Sequence, residues 1–114
     1  MPAKDPRFYL IHILECCERI LDDTRGIEST WPEVPTVYDA VCRNLEIIGE
    51  AARQLGADFQ SADPEIPWRA MIDTRNILIH SYCRVTPEIL TGIARTDIPQ
   101  LQSAVNRILE EEPR

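Results

Sequence analysis

No stretch of about 18 consecutive apolar residues occurs in the chain, so the sequence offers no membrane-spanning helix. Its opening Met-Pro-Ala-Lys-Asp-Pro-Arg has neither the apolar stretch nor the cleavage signature of a secretory signal, and cytoplasmic residence without membrane contact is expected. The four cysteines, at positions 16, 17, 42 and 83, lack the paired spacings of a zinc site and are expected to be reduced thiols. Positive charge is also scarce. A net charge of −7 excludes diffuse attraction to nucleic acid, so any RNA contact must come from a local cluster such as Arg69, Arg75 and Arg84 with their symmetry mates. Weak substrate affinity follows, and an acidic body leaves room for a basic protein partner. Sustained strand alternation and internal repeats are missing too.

What remains is helical patterning. A chain of 114 residues, 44% hydrophobic and 27% charged, has room for one core and one domain over residues 1–114. From Asp5 to about Asp23, Leu10, Ile13, Leu14, Cys17, Ile20 and Leu21 recur with helical spacing. Gly26, Pro32 and Pro35 prevent that helix from continuing. Thr36 is the expected N-cap of a second helix, lined by Val37, Ala40, Val41, Leu45, Ile48, Ala52 and Leu55 and stopped by Gly56. Its other side carries Arg43, Glu46, Glu50 and Arg53 at three- and four-residue steps. That stripe is either a solvated surface held by local ion pairs or one wall of a functional cleft. Pro67 suits the first turn of a third helix, and Thr86-Pro87-Glu88 reads as a cap opening a fourth that runs to about Glu111. Pro99 should kink or divide this last element, and the charged tail from Glu110 should fray. The expected class is all-α, a four- to five-helix bundle with short loops.

The third helix holds the octet Arg75-Asn-Ile-Leu-Ile-His80-Ser-Tyr82. An arginine offers a permanent charge and a planar fork suited to phosphate, and histidine is the residue type that exchanges a proton near neutrality. Together they can form a metal-independent phosphodiester-cleaving site. By chance, Arg, four residues, His, one residue, Tyr should arise on the order of a few times per thousand chains of this length, so the motif alone is only moderately specific. A histidine near a helix end more often serves as a cap or a partly buried polar residue. Arg75 falls on one broad stripe with Trp68, Ile72, Ile79 and Tyr82, where a purely structural helix would place leucine. Five positions separate Arg75 from His80, about 140° around a straight helix. To converge they need a distorted helix end or a cleft completed by a second copy of the chain.

Three further segments carry a resemblance: Tyr9-Leu-Ile-His-Ile-Leu-Glu15-Cys, Arg43-Asn-Leu-Glu46-Ile-Ile-Gly49-Glu50-Ala51-Ala, and Ile66-Pro67-Trp68. With the octet, these segments closely resemble the HepT-like toxins of the HEPN superfamily, the toxin half of the MntA/HepT type of toxin–antitoxin system. The resemblance covers nearly the whole chain. It implies a small α-helical HEPN bundle, a homodimer whose Arg and His pairs gather between protomers, and cleavage of RNA, whether tRNA or mRNA, without metal or other cofactor. A two-fold axis would also supply the second set of side chains that the 140° separation demands.

By that resemblance Arg75 and His80 are the catalytic candidates; Asn76 within the octet and Glu46 and Glu50 of the charged stripe are further candidates to line the cleft. Tyr82 corresponds to the tyrosine AMPylated by a minimal nucleotidyltransferase antitoxin, the implied protein partner; its plain structural reading is packing at the helix end. The alternative function is a non-catalytic HEPN module that only binds a nucleotidyltransferase.

Overall fold

The computed structural model of the chain describes residues 5–80 and 85–111, all of them helical, turn or irregular, with no strand among them. Helix α1 spans Pro6–Asp23, capped by Asp5, whose Oδ1 accepts from the Arg7 backbone N–H at 2.9 Å. A 3-10 turn at Trp31–Glu33 leads into α2, Pro35–Ala62, followed by α3, Trp68–His80, and α4, Pro87–Gly92. Five residues of π-helix, Ile93–Asp97, join α4 to α5, Ile98–Glu111. The class is all-α, as the periodicity indicated.

Helix α2 is the spine, packing on α1 along one side and α3 along another, while α5 closes over α1. One buried cluster unites Leu10, Ile13, Cys17 and Ile20 of α1 with Val41, Leu45 and Ile48 of α2. Met71, Leu90, Ile98, Leu101 and Val105 extend it into the other helices. Each such side chain contributes about 1.5–3 kcal/mol by leaving water. Trp31 is fully buried, so the loop after α1 is pinned by an indole rather than left as a slack linker. Cys16, Cys17 and Cys42 are free thiols, and burial pushes Cys17 up to about 12. Cys83 lies outside the described residues.

Three boundaries differ from the sequence reading. Helix α2 begins at Pro35, one residue before the expected cap, because Pro35 needs no amide acceptor and its fixed φ already suits a first turn; Val34 takes the cap position without a side-chain bond. Gly56 breaks the regular helix of α2, as expected, but a second helical segment follows it directly. With φ 86° and ψ 165° it adopts a conformation open to glycine, and helical turns resume to Ala62 while Gln60 Nε2 reaches back to the Ala52 carbonyl at 2.8 Å. The division expected from Pro99 falls just upstream as a wider turn: Ile98 N–H bonds to the Ile93 carbonyl five residues back, and Pro99 follows it within a helical run that continues from Pro87 to Glu111. Helix α5 includes Glu110 and Glu111, with Arg107 Nη1 3.6 Å from Glu111 Oε1, and the rest of the tail lies outside the described residues. The Thr86 cap has the expected form, its hydroxyl accepting from Ile89 N–H at 3.3 Å.

Candidate functional site

Arg75 projects from the middle of α3 against α2, and a glycine makes this possible. A Cβ placed on Gly49 would collide with the Arg75 Cβ and stand 2.7 Å from the Met71 carbonyl oxygen. Only hydrogen at position 49 lets the two backbones approach so closely. Glycine inside a helix costs roughly 0.5–1 kcal/mol relative to alanine, and here the close seam with α3 offsets that cost. The side chain of Arg75 is 22% exposed, and its Nη2 lies 3.4 Å from Glu50 Oε1. Its Nη1 donates to Asn76 Oδ1 at 2.8 Å, while the buried Nε has no partner.

Glu50 is itself held from its own helix. Arg53 donates to both its oxygens, at 3.1 and 2.7 Å, and Gln54 donates to Oε2 at 2.9 Å. These bonds, Arg53 first, hold the Glu50 carboxyl below the ordinary carboxylate range, so it stays ionised at neutral pH beside Arg75. One turn earlier, Arg43 Nη1 lies 3.5 Å from Glu46 Oε1.

These groups line a cleft of ≈ 280 Å³ between three helices. Phe8, Tyr9 and His12 come from α1; Arg43, Glu46, Ile47, Glu50, Ala51 and Gln54 from α2; Arg75 and Ile79 from α3. The charged stripe of α2 is therefore a cleft wall over Arg43, Glu46 and Glu50, with Arg53 bracing it from outside. Asn76 reaches the cleft only through its bond to Arg75. His80 is exposed at the last described turn of α3, and among the described residues the wall extends to Ile79 and not to His80. One chain thus does not bring Arg75 and His80 to a common hollow. Tyr82 and Arg84 lie outside the described residues. The expected basic cluster is corrected in part: Arg69 is 86% exposed and pairs with Asp73 at 3.4 Å, and it is Arg43 that shares the cleft with Arg75.

Two contributors had sequence signals that went unused. Gly49 interrupts a strongly helical segment, and such a glycine calls for a packing reason. His12 sits one turn after Phe8, with ring centroids 4.5 Å apart, so α1 presents aromatic rings to the cleft from a helix otherwise read only for its core face. Among the described residues no group of three or more His, Cys, Asp or Glu side chains is disposed to hold a metal ion. No described helix is long and apolar enough to cross a membrane.

The family model described as Ribonuclease HepT-like matches residues 13–108, from the middle of α1 to near the end of α5. The chain belongs to the HepT-like family of the HEPN superfamily. It is similar to a Caldanaerobacter subterraneus protein provisionally named an RNase, 36% identical over 110 residues covering 96% of this chain and 98% of the relative. A Thermococcus cleftensis protein named as a probable ribonuclease HepT is 40% identical over 102 residues, 88% of this chain and 92% of the relative. A Methanocaldococcus jannaschii protein, also provisionally named an RNase, is 35% identical over 106 residues, 92% and 97% of the two chains. No solved structure matches at a significant level.

Proposed function

We propose that the chain is the ribonuclease toxin of a toxin–antitoxin pair, cutting RNA without metal through Arg75 and His80 of a homodimer. The observation that carries the proposal is Arg75, a guanidinium set into a cleft by a glycine seam and a braced carboxylate, in a family named for ribonuclease activity. His80 takes the proton of a ribose 2′-hydroxyl, whose oxygen attacks the adjacent phosphorus. The 5′-oxygen leaves with a proton from the imidazolium of the partner subunit's His80, and a 2′,3′-cyclic phosphate remains. Arg75 stabilises charge on the phosphorane through charge-assisted hydrogen bonds. Among the described residues His80 does not line the cleft that holds Arg75, which supports a site completed by a second copy.

Regulation belongs to the same proposal. AMPylation of Tyr82 by a minimal nucleotidyltransferase antitoxin would add a bulky anionic group next to His80 in sequence, opposing RNA phosphates by charge and by obstruction. An intact mass unchanged by co-expression with the antitoxin, under conditions where toxicity is neutralised, would refute this part.

One observation favours a second reading, a non-catalytic module that binds a nucleotidyltransferase. Both cleft arginines are already paired with carboxylates, Arg75 with Glu50 and Arg43 with Glu46, so an RNA phosphate must compete for them. Expression separates the readings. A toxin arrests growth unless Arg75 or His80 is replaced, and its purified form cleaves RNA in the presence of a chelator. A harmless chain that leaves RNA intact is a binding module; cleavage abolished by the chelator would refute the metal-free step.

A further inference from the structure

The proposed chemistry uses the α2 and α3 walls of the cleft and leaves the α1 wall without a role. That wall is aromatic. Phe8 is 41% exposed, His12 is exposed, and their rings lie 4.5 Å apart at 53°. Tyr9 meets Phe8 edge-on at 5.2 Å. Solvated aromatic rings one turn apart are unusual on a bundle whose other described aromatic residues, Trp31, Tyr38, Phe59 and Trp68, are buried or partly buried. Arg43 and Arg75 line the same cleft.

We propose that Phe8 and His12 form a nucleobase subsite, stacking on one base of a single-stranded RNA while Arg43 and Arg75 take the phosphate beside it. The inference rests on the ribonuclease reading and adds how the cleft selects its substrate. Rings and guanidinium groups in one hollow match the two faces of a nucleotide, a flat apolar base and an anionic phosphate. In an acidic protein, stacking supplies affinity that overall electrostatics withholds, and it requires an unstacked base, which single strands offer and duplexes do not. Sequence preference should be slight, because every base has a π-face. His12 adds polar edge atoms that phenylalanine lacks.

Short 2′-O-methyl oligonucleotides cannot be cut by attack of the 2′-oxygen, so their binding, read by fluorescence anisotropy, is independent of cleavage. A series with one abasic site walked along the strand should show one position where losing the base weakens wild-type binding about 5- to 150-fold. Phe8→Ala/His12→Ala should bind intact and abasic probes alike, whereas His12→Phe, which keeps a ring, should retain the difference. Both variants alter exposed side chains and should melt with the wild type. Two results overturn the subsite: equal binding of all probes by the wild type, or an undiminished base preference in the double variant. If the double variant is monomeric while the wild type is dimeric, and both treat the probes alike, the wall is an interface between copies and the inference is wrong. Failure of the wild type to cleave the matching unmodified RNA would count against the ribonuclease reading alone.

Discussion

The middle of α3 and its end are built differently. At Arg75 the helix is locked against α2 by a seam that excludes even a methyl group, and the side chain is held by Glu50, which Arg53 and Gln54 hold in turn. One turn later Ile77 and Ile79 are 45% and 44% exposed and His80 is open to solvent. The phosphate-binding half of the proposed site is therefore preorganised within one chain, while the proton-transferring half sits at a helix end whose described side chains are largely exposed. Ile77 lies about 60° from His80 around the helix, and a second copy docked over this exposed side chain would also complete the proposed chemistry.

The sharpest way to break this contrast is to remove each half. His80→Ala and Arg75→Ala should each lower cleavage by about 10²–10⁴-fold, measured as turnover of a defined RNA. Their stabilities should differ: His80→Ala should melt like the wild type, whereas Arg75→Ala leaves the Glu50 carboxylate short of a partner in a confined cleft. Gly49→Ala attacks the seam itself. Overpacking there should cost about 1–3 kcal/mol and lower the melting temperature by several degrees, with activity falling because Arg75 is displaced. A stable, fully active Gly49→Ala protein would show that the seam does not position Arg75.

Smaller effects test the surrounding charges. Glu50→Gln should change stability by less than about 1 kcal/mol, since the ion pair is partly solvated. The native carboxyl of Glu50 is held below its unfolded value, so its contribution is complete above about pH 4.3 and is lost as pH falls through the lower folded value. Melting followed from pH 7 to pH 3 should show no loss from this group until the acid end, and Glu50→Gln should remove that part of the dependence. The least effect is expected at Cys17, raised to about 12 by burial. It favours the folded state fully below the unfolded thiol value and less as pH rises toward 12, and native alkylation at pH 8 should label Cys42 before Cys17.

The helices were legible because their apolar residues recur every three or four positions, and the octet was legible because its residue types are chemically distinctive. What escaped was set by tertiary contact. Periodicity cannot distinguish a surface stripe from a cleft wall, so Arg43, Glu46 and Glu50 acquired meaning only once α3 lay beside them. Gly49 was visible as a letter, but its purpose is a distance to Arg75. His12 belonged to a helix read for its buried side, and the α1 wall opposite Arg75 depends on how three helices converge. Pro35 shows a local rule applied slightly out of place, since proline is welcome at a helix's first turn, whereas Pro99 stands inside a continuous helical run with a π turn, rather than a break, just before it.

The dependence of His80 on a second copy is tested most directly by measuring cleavage per chain across a dilution series while sedimentation reports the oligomeric state. The rate per chain should fall in step with the dimer fraction, and Ile77→Asp, which places charge near His80 and outside the cleft wall, should shift both curves to higher protein concentration. A rate per chain that stays constant as the protein becomes monomeric would contradict the two-copy site.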